Sequence, residues 1–268
     1  MTLFKEGLFA DQVAIVTGGG TGIGFAVARE LGSLGAKVAI CGRREQPLED
    51  AKAKLEGVEV FADTCDIRDP EAIAGYVKKV QDHFGQVDVL INNAGGQFPS
   101  PAQHISPNGF EAVVRNNLLG TWNFTHATAN AAFIPQGRGR VVNVIANVAR
   151  GFPGMAHTGA ARAGVANLTK SLAVEWSQFG VRVNAVAPGV IRSSGLDQYP
   201  PELVRDAIRA SPVRRLGSPE EVSNLVCYLA SPYADFVTGQ VWYIDGGASL
   251  WGDQWPIPEE VPQFPPYE

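Results

Sequence analysis

Val13-Ala14-Ile15-Val16-Thr17-Gly18-Gly19-Gly20-Thr21-Gly22-Ile23-Gly24 joins an apolar run to a cluster of glycines near the start of the chain. Its four leading apolar residues predict a buried strand, and the glycines after them predict a tight turn that opens a helix. Without a Cβ the backbone of such a turn can come close to a phosphate. The free N–H groups and positive dipole end of the next helix attract the same charge. Strand, Gly-rich turn and helix in that order point to a dinucleotide pyrophosphate site much more sharply than the glycines alone.

Outward from this stretch the pattern repeats. Lys37–Cys41, Val58–Phe61, Val87–Ile91, Arg140–Ile145, Val181–Val186 and Val241–Ile244 read as further strands, several of them nearly continuous in apolar residues, as parallel strands covered on both faces are. Helix-period segments lie between them: Gly22–Leu34, Pro70–Phe84, Asn108–Ala132, Thr158–Phe179 and Pro219–Ala230. The alternation predicts right-handed βαβ crossovers in a single α/β domain, a Rossmann-type doubly wound parallel sheet. No Pro-, Gly- or Ser-rich linker divides the chain, and no repeat recurs. The domain is expected to span residues 1–250. Residues 251–268 form a tail in which Trp251, Trp255, Phe264 and Tyr267 stand among Pro256, Pro258, Pro262, Pro265 and Pro266. Such a tail cannot be a regular helix, and its aromatics are expected to pack against the body or a neighbouring subunit.

Composition narrows the function. The 268 residues leave ample chain for a core. With 27 acidic against 22 basic residues the formal charge is -5, and no Lys/Arg block stands out, so neither nucleic acid nor an anionic membrane is an expected partner. The apolar stretch Val181–Val190 is broken by Arg182, Asn184 and Pro188, and nothing approaches the ~20 apolar residues of a membrane span. Cys41, Cys65 and Cys227 are scattered and read as small buried hydrophobes. His83, His104 and His126 do not cluster, so no metal is expected. The beginning Met1–Glu6 lacks a signal-peptide core and the ending Pro265-Pro266-Tyr267-Glu268 is not a peroxisomal address, so the expected location is cytoplasmic.

Asn92-Asn93-Ala94-Gly95 at the end of the fourth strand is a second marker. With the glycine turn, Asn117, Pro188-Gly189-Val190-Ile191-Arg192-Ser193, Thr238-Gly239-Gln240 and Asp245-Gly246-Gly247, it resembles the short-chain dehydrogenase/reductase family over residues 10 to 250. The resemblance implies roles. Gly18, Thr21, Gly22, Ile23 and Gly24 would line the pyrophosphate, and Asp66 and Ile67 would sit by the adenine. Asn93, Ala94 and Gly95 would lie beside a ribose. Pro188, Gly189 and Ile191 would flank the nicotinamide, with Ser193 on its carboxamide. NAD-binding members end the second strand on an acid; this chain has Gly42 followed by Arg43 and Arg44. A carboxylate there repels a ribose 2′-phosphate and a guanidinium pairs with it, so the expected cofactor is NADP(H). Thr21 departs from the many NADP-dependent relatives that carry a basic residue at its position.

The catalytic pattern departs further. Aligned on Ala163-Gly164-Val165, the family's Tyr, Lys and Ser positions hold Thr158, Arg162 and Ala146; the helix Asn, Asn117, remains. Hydride addition to a ketone builds an alkoxide that a poised acid must protonate. Thr158 is a far weaker acid than a tuned phenol, and Arg162 stays protonated. Arg162 could still bind the ribose. Reduction of a C=C bond conjugated to a thioester collects charge on the thioester oxygen, where hydrogen-bond donors suffice. Gly95–Ser106 and His157–Val165 are similar to the branch with peroxisomal trans-2-enoyl-CoA reductase and 2,4-dienoyl-CoA reductase. Dienoyl reducers of that branch place an Asn at Gln97 and a Tyr at Asn147, both donating to the thioester carbonyl.

The expected activity is NADPH-dependent reduction of an α,β-unsaturated acyl thioester. Asn117, Gln97, Asn147, Thr158 and Arg162 are its candidate site residues, and the proton source is unassigned. Two alternatives stay open. One is a carbonyl reductase or alcohol dehydrogenase with a relocated acid, Tyr199 or His157. The other is a catalytically impaired nucleotide-binding subunit. The family's subunit interface lies on its two long helices, here bearing Trp122 and Trp176, which implies a homotetramer.

Overall fold

The computed structural model describes residues 3–193, 196, 200–251 and 256–263. Seven strands form one parallel sheet: β1 (Val13–Thr17), β2 (Lys37–Gly42), β3 (Val60–Thr64), β4 (Val89–Asn92), β5 (Gly139–Val144), β6 (Val181–Pro188) and β7 (Val241–Ile244), in the order β3-β2-β1-β4-β5-β6-β7. The order reverses between β1 and β4, whose Ile15 and Leu90 are partners in register. That reversal leaves a crevice at the carboxyl ends of the strands, where doubly wound sheets bind ligands.

Successive side chains of a strand point to opposite faces, and both faces are covered. Ala14, Val16, Val38, Ile40, Val89, Ile91 and Val142 join one core with Val27, Leu31, Val222 and Val226. The first pair of those helix residues comes from α1 (Gly22–Ser33) and the second from α7 (Pro219–Ala230). The alternate residues Val13, Ile15, Ala39, Leu90 and Val141 join a second core with Ile73, Val77, Phe124, Phe133 and Leu172. Those come from α3 (Pro70–Phe84), the long helix α4 (107–136) and α5 (Ala156–Glu175).

Two helices join the ones read from periodicity. Helix α2 (Glu45–Lys54) has low apolar content, buries only Leu48 and Ala51, and tolerates Pro47 because it falls in the first turn. Helix α6 (Pro201–Arg209) follows Pro200. Some boundaries move. The third strand begins at Val60, two residues later than its apolar run suggests. Val58 instead packs on Gly32 of α1, where a Cβ would meet its methyl groups at 2.7 Å. The segment Thr158–Phe179 proves to be α5, begun at Ala156, followed by a 3-10 turn that Gly180 ends at φ +71°. Helix α4 runs longer than Asn108–Ala132 and contains two π turns, Arg115–Leu119 and Ala129–Phe133. Among the described residues no helix is long and apolar enough to cross a membrane.

Candidate active site

Thr17, buried at the end of β1, fastens the two loops of the crevice. Its Oγ1 accepts from the N–H groups of Asn93 and Ala94, at 3.0 Å each, and donates to the Ile91 carbonyl at 3.2 Å. Asn93 answers by donating its amide to the carbonyls of Thr17 at 3.0 Å and Gly18 at 3.3 Å. The turn between them must be bare backbone. Gly18 has φ +66°, and a Cβ at Gly24 would stand 2.3 Å from the Gly18 oxygen. Gly22, at φ +56°, faces Ser193.

From this turn a cleft runs to the ends of β2 and β3, lined by Gly18, Gly20, Thr21, Cys41, Gly42, Arg43, Arg44, Pro47, Leu48, Cys65, Ile67, Ala94, Gly95 and Asn116. Arg43 and Arg44 are exposed there and form no ion pair among the described residues. A side-chain-free turn at a helix N-terminus, continued by a cleft with two cations at its end, fits a phosphorylated dinucleotide. Asp66 is placed differently from Ile67. Its carboxylate takes the Arg68 guanidinium, Nε lying 2.9 and 3.0 Å from its two oxygens. That hydrogen bond, with Arg43 adding to it, holds Asp66 below the usual carboxylate range. At the other end of the crevice, Pro188 closes β6 and Gly189 abuts the backbone of Asp245, where a Cβ would lie 2.9 Å from the Asp245 Cα. Ile191 is buried and bridges to Gly217.

A buried polar chain carries the two long helices to the sheet. Asn92 donates to Thr125 Oγ1 at 2.7 Å and to Asn143 Oδ1 at 2.9 Å, and Asn143 donates to Thr169 Oγ1 at 2.9 Å. Each of these groups is paired, so the chain fixes position without leaving a costly orphan. Beside it, the π turn of α4 brings Asn117 inward. Its Nδ2 donates to the carbonyls of Gly96 at 2.7 Å and Val113 at 2.8 Å. Arg162, also buried, donates from Nη1 to the Val144 carbonyl at 2.9 Å, and its Nε has no partner. Asn117 and Arg162 crowd one face of Gly95: a Cβ there would lie 2.4 Å from Arg162 Nη2 and 2.6 Å from Asn117 Oδ1. Burial pushes the Arg162 guanidinium down to about 10, which leaves it cationic at neutral pH.

The remaining candidates are spread around this pair. Thr158 is fully buried one turn before Arg162 on α5, its Oγ1 3.3 Å from His157 Nδ1. That His157 nitrogen also accepts the Thr158 backbone N–H at 2.8 Å, which puts the ring proton of a neutral imidazole on Nε2. Nε2 is buried without a hydrogen-bond partner, and the ring packs edge-on against Phe98 at 4.5 Å. Asn147, after β5, donates to Asp245 Oδ2 at 2.8 Å. Gln97 is half-buried in the loop after β4. Tyr199 falls outside the described residues. Thr17, Asn116 and Asp245 belong to the site and are not singled out by sequence reasoning. Thr17 carries a legible signal, a hydroxyl ending an apolar strand. Asp245 stands in the quoted Asp-Gly-Gly motif, but its contact with Asn147 spans 98 residues. Among the described residues no His, Cys, Asp and Glu cluster could hold a metal.

Residues 18–249 match the family described as Enoyl-(Acyl carrier protein) reductase. A probable 2,4-dienoyl-CoA reductase of Bacillus subtilis is 37% identical over 89% of this chain and 97% of its own. A peroxisomal 2,4-dienoyl-CoA reductase of Danio rerio is 38% identical over 92% of this chain and 85% of its own. Among solved structures, the citronellol catabolism dehydrogenase of Pseudomonas aeruginosa is 42% identical with a TM-score of 0.84, covering 92% of this chain and 99% of that one. An actinorhodin polyketide ketoreductase with NADPH is 31% identical with a TM-score of 0.85, covering 92% and 100%.

Proposed function

The chain belongs to the short-chain dehydrogenase/reductase family of oxidoreductases, and on that premise we propose that it uses NADPH to reduce the C=C bond of an α,β-unsaturated acyl thioester of the enoyl-CoA type. The observation that carries this reading is the buried pair Asn117 and Arg162 at the Gly95 backbone, with Thr158 where ketone reducers keep a phenol. When bound, the reduced nicotinamide would supply a hydride to the substrate β-carbon, and a proton from water would complete the reduction at the α-carbon. The chain's own groups then have to stabilise charge on the thioester oxygen. A fixed cation and preorganised N–H groups do this without being consumed, each donor accounting for about 10²–10³ in rate.

Within the reading, Arg162 serves the nicotinamide ribose and the local field, and the glycine turn, held in place by Thr17 and Asn93, takes the pyrophosphate. Arg43 and Arg44 take the 2′-phosphate. Gln97 and Asn147 are the donors assigned to the acyl oxygen, Asn147 with one of its two N–H bonds already committed to Asp245, while Thr158 is fully buried behind them with its hydroxyl toward His157 Nδ1. The names of the dienoyl-CoA-reducing relatives support a conjugated thioester as substrate. A homotetramer built on α4 and α5 belongs to the same proposal, because Phe110, Leu119, Trp122 and Val174 expose apolar surface on those helices. So does a cytoplasmic location, where the three cysteines stay free thiols.

One finding favours a second reading, ketone reduction. The polyketide ketoreductase shares the architecture at a TM-score of 0.85. Purified protein offered trans-2-enoyl-CoA and 3-ketoacyl-CoA in parallel, with NADPH oxidation followed at 340 nm, separates the two. Turnover of the enoyl thioester alone is expected. Turnover of the ketone alone would overturn the proposal and require an acid such as His157. Tight NADPH binding with no turnover of either would mark a nucleotide-binding subunit.

A further inference from the structure

The family match ends at residue 249, yet the chain beyond it is fastened to the mouth of the site. Asp245, which holds Asn147, also accepts the N–H groups of Gly247 at 2.9 Å and Ser249 at 2.7 Å. Two residues on, the Trp251 carbonyl accepts from Arg150, which lies three residues beyond Asn147 in the loop after β5. The face of the Trp251 ring is covered by the Arg214 guanidinium at 4.9 Å. Arg214 also donates to the carbonyls of Ile257 at 2.8 Å and Pro258 at 3.0 Å, and to Arg209 at the end of α6. Gln263 adds a bond to the Val213 carbonyl at 3.0 Å.

Arg214 does this from φ +57°, a left-handed backbone that a non-glycine residue holds only when its surroundings over-determine it. One side chain thus ties the carboxyl end of α6, the Trp251 ring and two tail carbonyls into a single rim. Beside it Leu250 is 89% exposed and Val213 37% exposed. Arg214 commits one donor from each of its three nitrogens to a carbonyl and lies over the Trp251 ring, so what the rim adds to the mouth of the site is the apolar surface of Trp251, Leu250 and Val213, which suits an alkyl chain.

We propose that Trp251 and its neighbours form an outer wall for the acyl chain, and that Arg214 and Arg150 are positioning residues that hold this wall. The wall adds affinity for long acyl chains to the shared catalytic machinery. This rests on the acyl-thioester reading above.

The test is saturated acyl-CoA binding by calorimetry to the NADP-loaded enzyme, from four to twelve carbons, alongside KM and kcat for the matching enoyl-CoAs. The variants are Trp251→Ala, Arg214→Gly and Arg214→Asn. Gly and Asn both accept the left-handed backbone, so the clamp is lost without added strain. The expected result is a loss graded with length, in KM and Kd more than in kcat. At twelve carbons it reaches about tenfold relative to four carbons, the worth of about two methylenes. A uniform loss at every length, or none, would overturn the wall. Wild-type enzyme that binds acyl-CoAs with a length dependence but reduces none would sink the reductase reading and leave the wall standing. Wild-type enzyme that binds no acyl-CoA would sink both.

Discussion

Arg43 and Arg162 are both arginines in the crevice, and their surroundings give them opposite work. Arg43 is exposed at the cleft's end, where solvent screens it until a phosphate displaces water. Arg162 is buried, carries an unpartnered Nε and feels the full cost of desolvation. Under the proposed function the first is a selectivity residue and the second a part of the reacting end. Arg43→Glu removes a charge-assisted contact and adds repulsion. Such contacts are worth about 1.5–3 kcal/mol, so NADPH affinity is expected to fall by about 10–100-fold or more while NADH affinity barely moves. Fluorescence titration of both cofactors checks it, and equal losses would withdraw the 2′-phosphate assignment. The place of Arg43 at the cleft was legible in the sequence because it follows from position after a strand. The orphaned Nε of Arg162 was not, because burial is a property of everything packed around it.

At the scale of elements, short-range signals fared well where the physics is local. Ser218-Pro219-Glu220-Glu221 is a capping box at the start of α7: Ser218 Oγ accepts from Glu221 N–H at 3.1 Å, and Glu221 accepts from Ser218 N–H at 2.8 Å. Arg215 grips the same Glu221 carboxylate at 2.6 and 2.9 Å, holding it below the usual range. Ser218→Ala should cost about 1 kcal/mol in a urea melt without changing NADPH affinity; an unchanged midpoint would show the cap to be redundant with the Arg215 clamp. Helix α4 shows the opposite case. Its apolar period announces a helix, but nothing local announces the π turn at Arg115–Leu119. Within that turn Asn117 reaches Gly96 on another loop, and its amide also donates to the Val113 carbonyl.

For the whole molecule, the crevice is assembled from segments more than seventy residues apart, such as Thr17 with Asn93 and Asn147 with Asp245. A ligand spanning it adds its binding energy to folding. NADPH at about 100 times its Kd is expected to stabilise the protein by about 2.7 kcal/mol, a rise of several degrees in Tm. NADH at the same concentration should give a smaller rise. Thermal melts at matched concentrations decide this, and an equal rise with NADH would speak against the arginine end of the cleft. The parallel doubly wound sheet, the glycine turn and the cations after β2 are readable from the residues alone. Each of these follows from periodicity, from the absence of a Cβ or from charge at a fixed step along one strand and its loop. The rest came from packing in three dimensions: Thr17 as the lock between two loops, Asn147 held by Asp245, Arg162 buried against Gly95, and Arg214 as the clamp of the tail. Those are contacts between segments that meet only when the chain folds, and for Thr17 and Arg162 burial also removes water as the competing partner for their hydrogen bonds.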